Sequence, residues 1–313
     1  MAAAVLYASV VSGTALSLLL AHLAPVPILI VALGWSHWTG LVAALIATAA
    51  LGSTLGFRTS FGFAIGAGAP AWWLGYLALL ARPVGNGAGG HLEWYPAGRL
   101  LLWCALLGGA MAIITFLVTF GTDWQTFQTE LRKVAEEIVR LQAQATRNPA
   151  AAERLEGKDI VAALALVMPA FVSAFATLIN SFTLWLAGRV VHISGRLKRP
   201  WPDLSAISLP AFAPALLAAS TIGIALPEFA GLVAIACAAS LIMAYALLGL
   251  AVLHAITRGS AGRPLILLAT YLAIVLFAGM PLALVAMLGL ADAAFNFRAR
   301  GAGPAPPQNP PQT

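Results

Sequence analysis

The ionisable residues within apolar segments are the first candidates for chemistry, because a charge inside a bilayer is costly and usually has a role. The chain has five of them: His22, His37, Glu228, His254 and Asp292. All but His37 lie near a predicted end of an apolar segment, where water or lipid headgroups reach them. No two carboxylates share a mid-segment helix face, as a proton relay or a two-aspartate membrane protease requires.

The sequence also lacks the common catalytic patterns. It contains no HExxH, no Walker-type glycine loop and no serine nucleophile elbow. Cys104 and Cys237 lie in apolar segments as small apolar residues, without disulfide or metal-ligand spacing. We therefore expect no enzymatic activity, no cofactor and no metal site.

A glycine-rich apolar segment over residues 61–81 is a candidate ligand site. It contains Gly66 and Gly68, and Trp72 and Trp73 follow them. One interpretation is close helix packing ending in an aromatic belt at the headgroup boundary. The other is a ligand-binding wall of backbone and aromatic rings.

Asn180 is a second candidate, because an amide deep in an apolar segment needs a hydrogen-bond partner. That partner is either a group on another helix or a ligand.

The amino-acid composition indicates the kind of protein that holds these candidate residues. Hydrophobic residues make up 61% of the 313 residues and charged residues only 9%, against about 25% charged in soluble domains. The net charge of +6 comes from short loops between apolar segments, which favours anchoring at a membrane and not nucleic-acid binding. No Lys, Arg, Asp or Glu precedes Arg58, so the first apolar segment is predicted to remain as a span. The predicted surroundings are a lipid bilayer, and the predicted location is a bacterial inner membrane, crossed many times.

The apolar segments predict an all-α polytopic bundle of about eight spans. The count is eight or nine, because residues 26–57 form either one tilted helix or two, after a break at Pro25 and Pro27. The predicted spans cover residues 4–23, 26–57, 61–81, 99–120, 160–186, 208–226, 229–256 and 263–291. The chain divides into N-terminal transmembrane helices (1–121), a charged hairpin (122–159), C-terminal transmembrane helices (160–292) and a disordered proline-rich tail (293–313).

The charged segment predicts a water-facing helical hairpin. It holds seven of the eleven acidic and six of the seventeen basic residues. Thr122 or Asp123 can cap a first helix, and Asn148 with Pro149 can open a second that stops at Gly157. The first helix carries an apolar stripe at helical spacing: Trp124, Phe127, Leu131, Val134, Ile138 and Leu141. The stripe either lies on the protein or the lipid interface, or docks a partner helix.

The positions of the basic loops create a conflict in orientation. The loops at residues 189–199 and 258–263 lie two spans apart, so both can be cytoplasmic. The hairpin and the tail then fall on the opposite side, although the tail carries Arg298. Either this arrangement holds, or one long apolar run contains an extra turn.

Near the C-terminus, Asp292 and Arg298 are predicted to form a local ion pair or cap at the end of the last helix. We expect an exposed pair, which contributes at most about 1 kcal/mol.

Several stretches resemble a known family. They are MPAFVSAFATLINSFTLWLAGRV with the following basic, proline-rich loop and SLPAF, the break APVPILIVALGW, and the ending GLADAAFNFRAR, where Gly289, Asp292, Asn296 and Arg298 lie on the family's closing motif. The chain resembles the YybS-like family of uncharacterised bacterial membrane proteins. It is distantly similar to the substrate-binding membrane subunits of energy-coupling-factor vitamin transporters and to the rod-shape protein MreD. The resemblance implies a helical bundle, and it implies no established molecular function.

Two functional hypotheses follow. In the first, the protein binds or helps transport a small molecule, with Gly66, Gly68, Trp72, Trp73 and Asn180 lining the site. Because buried acids are scarce, a membrane partner such as an ATPase would then supply the energy. In the second, the protein is a scaffold of the cell envelope that acts through the apolar stripe of the hairpin.

Overall fold

The computed structural model describes residues 1–85, 91–145, 158–277, 279–295 and 297–298. Helices dominate the described chain, and five helical segments are long and apolar enough to cross a bilayer, which confirms the predicted helical membrane bundle. Those five are Ala15–Gly34, His37–Leu55, Ala97–Phe120, Asp159–Ile193 and Glu228–Ile256. The helices are α1 (Ala2–Ala8), α2 (Ala15–His22), α3 (Pro25–Gly34), α4 (His37–Leu55), α5 (Phe57–Phe63), α6 (Ala69–Ala78), α7 (Ala97–Phe120), α8 (Trp124–Ala145), α9 (Lys158–Ile193), α10 (Ala213–Gly223), α11 (Glu228–Ile256), α12 (Arg263–Leu276) and α13 (Pro281–Phe295). The 3-10 turns Ser9–Ser12 and Leu204–Ala206 and the π-helical turn Ala64–Gly68 complete the helical part.

The first two span boundaries differ from the prediction. A turn at Gly13, with φ of +65°, separates α1 from α2, whereas α2 and α3 together form one candidate span. The predicted break at Pro25 is present as an interruption of the helix, since α2 ends at His22 and α3 begins at Pro25. It does not separate two candidate spans, because a proline at the first helical position loses no intrahelical hydrogen bond and α3 continues in the same span. The run 26–57 divides instead at Ser36, whose side chain and that of Thr39 form a reciprocal cap at the start of α4.

The predicted span over residues 263–291 is two helices in the structure. Helices α12 and α13 have 14 and 15 residues, about 21 to 23 Å each, less than the roughly 30 Å of a hydrocarbon core. A turn with Gly279 at φ of +85° joins them. Helix α13 returns Arg298 to the loop before α10, where its Nη1 donates to the Ser205 carbonyl at 2.7 Å. The extra turn removes the conflict in orientation, because Arg298 lies on the same face as the other basic loops.

The central helices α7, α9 and α11 pack together through small residues. A Cβ atom on Gly108 of α7 would overlap the side chain of Thr177 on α9. A Cβ on Gly249 of α11 would overlap the Val285 carbonyl of α13, and one on Gly289 would overlap the Tyr245 carbonyl. Glycine at these positions lets the backbones approach directly, as in other membrane helix pairs.

Helix α8 packs along the N-terminal part of α9. Asp123 caps it by accepting a hydrogen bond from the Thr126 amide at 2.8 Å, and this bond lowers the pKa of the Asp123 carboxyl. The predicted hairpin break at Asn148 and Pro149 and its stop at Gly157 lie outside the described residues, as do Asn296 and residues 299–313 of the predicted tail. The tail was predicted to begin at residue 293, but residues 293–295 belong to α13.

The buried stripe of α8 differs from the predicted one. Phe127 and Leu131 are buried, together with Ala135, Val139 and Ala143, whereas Val134, Ile138 and Leu141 are exposed. The buried residues recur every fourth position, and each lies about 40° beyond the last at 3.6 residues per turn. The line of buried residues therefore winds around α8, and the apolar edge formed by Val134, Ile138 and Leu141 stays exposed.

The segment between the predicted spans 61–81 and 99–120 contains a short antiparallel pair, β1 (Ala81–Val84) and β2 (His91–Trp94). Arg82 and Glu93 lie opposite each other across the pair and form an exposed ion pair at 2.7 Å.

Candidate functional site

A cavity of about 810 Å³ lies between α7, α9 and α11 at the end of the bundle that carries the basic loops. The loop of residues 197–207, which joins α9 to α10, covers it. The volume is in the upper part of the range of about 300–1,000 Å³ typical of small-molecule sites.

Most of the cavity wall is apolar. The apolar lining includes Leu100, Leu101 and Cys104 of α7, Leu178, Phe182 and Trp185 of α9, and Leu247, Leu248 and Ala251 of α11. Phe182 and Trp185 are 44% and 42% exposed, so both of these lining rings on α9 are accessible.

The polar lining is concentrated at the mouth of the cavity. Arg199, Asp203, Ser205, His254, Arg258 and Arg263 lie there, whereas Ser181 is a polar lining residue further along α9. Three guanidinium groups therefore face one carboxylate.

Arg199 fixes the covering loop to the bundle. Its Nη1 donates to the Ala78 carbonyl at 3.2 Å and its Nη2 to the Tyr95 carbonyl at 3.3 Å. Its Nε is buried without a partner in the described structure. Burial lowers the pKa of the Arg199 guanidinium, yet an arginine remains charged at neutral pH.

Ser205 is the centre of a polar network at the mouth. Its amide and hydroxyl donate to Asp203 Oδ1 at 2.9 and 2.6 Å, and Arg258 Nη2 donates to its hydroxyl at 2.9 Å. These bonds from Ser205, with the charges of Arg258 and Arg298, lower the pKa of Asp203. The network holds the loop over the cavity.

Arg263 begins α12 and forms no ion pair within the described part of the chain. His254 lies 3.0 Å from the Tyr271 hydroxyl, through Nε2, and so links α11 to α12. Across the described residues, no three His, Cys, Asp or Glu side chains come together as metal ligands.

The predicted aromatic site lies elsewhere in the molecule. Trp73 packs edge-to-face on Trp103 with ring centroids 5.3 Å apart, and Trp72 stacks on Tyr76. Gly68 contacts Phe63 and Ala44, and no atom lies within 4 Å of a Cβ built on Gly66. None of Gly66, Gly68, Trp72 and Trp73 is among the residues that line the cavity.

Asn180 contacts the neighbouring helix and does not line the cavity. Its Nδ2 lies 3.4 Å from the Cys104 carbonyl and 3.6 Å from Met111 Sδ, both on α7. Its neighbour Ser181 and its partner Cys104 do line the cavity, so Asn180 sits directly behind the wall. Of the two predicted partners, a helix or a ligand, the structure contains the helix.

The predicted docking stripe divides into two parts. Trp124, Phe127 and Leu131 line a second cavity of about 770 Å³, between α8, α9 and the start of α11, which also has charged walls including Arg132 and Glu228. Val134, Ile138 and Leu141 form the exposed edge described above.

Asp292 and Arg298 form the predicted ion pair, but the pair is buried. Arg298 Nη2 lies 2.7 Å from Asp292 Oδ2, and the two side chains are only 14% and 2% exposed. The expectation of an exposed pair is wrong, because α13 packs Gly289 against Tyr245 and brings Asp292 into the interface with α11.

The arginines at the mouth of the cavity were not predicted as site residues. Arg199, Arg258 and Arg263 belong to loops that the sequence assigned to membrane anchoring. The available signal was that both loops fall on the same side of the membrane, two spans apart, where a shared site can form.

No curated protein and no solved structure matches the chain. The model of a family described as "Predicted membrane protein (DUF2232)" matches residues 1–293, which include all the candidate spans and every residue of the cavity. The match confirms the predicted membership in a family of membrane proteins of unknown function. The chain belongs to the DUF2232 family of predicted membrane proteins.

Proposed function

We propose that this protein binds a small molecule in the cavity between α7, α9 and α11, without catalysing a reaction. The observation that carries the proposal is a cavity of about 810 Å³ with apolar walls and three arginines at its mouth. A concave apolar site with a few convergent polar groups is the usual form of a small-molecule site.

The charge distribution supports a bacterial inner membrane with the cavity mouth in the cytoplasm. Lys198 Nζ donates to the Trp35 carbonyl at 2.6 Å, and Arg196 lies over the Trp35 ring. The same loop supplies Arg199, which lines the cavity together with Arg258. Arg258 and Arg298 both contact Ser205, so these basic residues lie at one end of the bundle. Basic loops of inner-membrane proteins lie on the cytoplasmic side.

If binding serves transport, the energy would come from a partner such as an ATPase. The buried acid Asp292 is already paired with Arg298, so it is not free to couple movement of the ligand to protons.

A cavity-filling substitution tests the proposal. Native mass spectrometry of protein extracted gently from its own membrane should show a recurrent small-molecule adduct, and Ala251→Trp, which fills the cavity, should remove it. Ala255→Trp is the matched control, because Ala255 lies one turn further along α11, is half-buried and does not line the cavity. An adduct retained equally by both variants, or a wild-type protein without any adduct, would contradict the proposal.

The exposed apolar surface of α8 and α9 supports a second candidate, a scaffold that docks an envelope protein. Val134, Ile138 and Leu141 are exposed on α8, and Leu166 and Val167 are exposed on α9. Helix α9 has 36 residues, or about 54 Å against the roughly 30 Å of a hydrocarbon core. A tilt or a partner must therefore cover the remaining apolar surface.

Ile138→Glu tests the scaffold, with Gln144→Glu as an exposed control on the polar side of α8. The scaffold predicts that Ile138→Glu loses a co-purifying envelope protein while thermal stability is unchanged. Leu131→Glu is unsuitable for this purpose, because Leu131 is 7% exposed and its loss would disturb folding. Identical partners in both variants would exclude the scaffold.

A further inference from the structure

The mouth of the cavity carries positive charge that the described side chains do not neutralise. Asp203 accepts two hydrogen bonds from Ser205, and Asp292 neutralises Arg298. Arg258 has one described hydrogen bond, to the neutral Ser205 hydroxyl, although a guanidinium offers five N–H donors. The unused donors fit an anion, which accepts charge-assisted hydrogen bonds.

The other end of the cavity has the opposite character. Leu100, Cys104, Leu178 and Leu248 line it, and none of them carries a charge. A compact polar anion would leave this end filled with water, and a purely apolar molecule would make no use of the guanidinium donors. Because the charged and the apolar residues line opposite ends of the cavity, the cavity fits a molecule that has a charged group at one end and an apolar chain at the other.

Two accessible aromatic rings on α9 offer such a molecule a contact surface within the bilayer. Phe182 and Trp185 line the cavity and are exposed on α9, one of the candidate spans. An acyl or isoprenyl chain can pack against these rings while its head group stays at the level of the basic loops.

We propose that the ligand is a single-chain amphiphile with an anionic head group, phosphate or carboxylate. Its chain lies along the apolar wall of α7, α9 and α11, and its head group is bound by Arg258 and Arg263. This inference rests on the proposed function, since it specifies the ligand class of the same cavity.

Probes that share one chain and differ in head group test the ligand class. The full-length protein in phosphatidylcholine nanodiscs is titrated with dodecyl phosphate, dodecanoate, dodecanol and dodecyltrimethylammonium, and the bound fraction is measured by native mass spectrometry. We expect at least one of the two anions to bind about tenfold or more tightly than dodecanol, and the cation to bind more weakly still. The tighter anion identifies the head group, and inorganic phosphate is expected not to compete with either.

The outcomes separate the inference from the proposed function. Equal binding of all four probes, lost in Ala251→Trp, would overturn the anionic head group and leave the cavity as a binding site. Binding that Ala251→Trp does not reduce, or no binding of any probe, would overturn the proposed function as well. Competition by inorganic phosphate alone would overturn the amphiphile, because a free anion would then suffice.

Charge-removing variants test the two head-group contacts. Arg258→Gln and Arg263→Gln should each weaken binding of the preferred anion by about tenfold, the loss of one charge-assisted hydrogen bond, and leave dodecanol binding unchanged. Arg99→Gln is the control, because it removes the same charge near the same end of the bundle, where Arg99 lies beside the Tyr95 ring and does not line the cavity. Equal weakening by Arg99→Gln would show that the anions respond to surface charge and would overturn the assignment of the head group to Arg258 and Arg263.

Discussion

Asp292 and Arg298 join the last helix to the loop that covers the cavity. Arg298 donates to both carboxylate oxygens of Asp292 through its amide and its Nε, and through Nη1 to the Ser205 carbonyl. Because both side chains are buried, neither charge is screened well by solvent. One pair therefore stabilises both the end of α13 and the position of the 197–207 loop.

Asp292→Asn should lower the free energy of unfolding by about 3 kcal/mol, because it leaves the Arg298 charge buried without a counter-charge. Equilibrium unfolding in a denaturing detergent measures the change. Glu93→Gln removes a partner from the exposed Arg82–Glu93 pair and is expected to cost at most about 1 kcal/mol. Equal losses in the two variants would mean that burial does not strengthen the C-terminal pair.

At the scale of helices, the contact between α11 and α13 depends on two glycines that face each other. A Cβ on Gly249 would overlap the Val285 carbonyl, and a Cβ on Gly289 would overlap the Tyr245 carbonyl and approach Gly249 N at 2.8 Å. Backbone atoms cannot move aside as a flexible side chain can, so a methyl group at either position must separate the helices.

We expect Gly249→Ala to destabilise the protein by about 1–3 kcal/mol, the usual cost of overpacking. Gly66→Ala is the matched control, because nothing lies within 4 Å of the added methyl group and alanine favours a helix more than glycine does. Thermal unfolding of both variants in one detergent makes the comparison. A control variant as unstable as Gly249→Ala would show that an added methyl group destabilises the bundle at either position, and that the contact with α13 does not determine the effect.

At the scale of the whole molecule, the pair α12 and α13 enters from the basic face and returns to it. Arg263 begins the pair, and Arg298 follows it on the same face, bound to Ser205. Helix α8 lies at the opposite end, packed on the C-terminal end of α7 through Phe116 and Phe127. The bundle therefore has one strongly basic face and one that carries the charged helix α8.

Accessibility of single cysteines checks this topology in a variant without Cys104 and Cys237. Ser260→Cys and Phe297→Cys should both be protected from a membrane-impermeant maleimide in intact cells, whereas Gln128→Cys on α8 should react. Lysed cells provide the control that all three positions are chemically reactive. Reaction of only one of positions 260 and 297 would show that residues 263–291 cross the membrane once.

Part of this architecture could be predicted from the sequence, because a membrane-spanning helix is recognised from the hydropathy of about 20 consecutive residues. The sequence predicted a helical membrane bundle, an amphipathic helix after residue 122 and a cap at Thr122 or Asp123, and each of these depends on neighbours in the chain. The basic loops likewise placed residues 189–199 and 258–263 on one side. Stretches of sequence were also sufficient to suggest the membrane-protein family.

Tertiary packing determined the rest, because it depends on which segments meet. Hydropathy cannot distinguish one 29-residue span from two half-length helices, and the turn at Gly279 becomes visible only when Arg298 reaches Ser205. Asn180 needed a partner, but only the packing of α9 on α7 identified the Cys104 carbonyl. Arg199, Arg258 and Arg263 come from different loops, and a shared cavity mouth exists only where the folded helices bring those loops together.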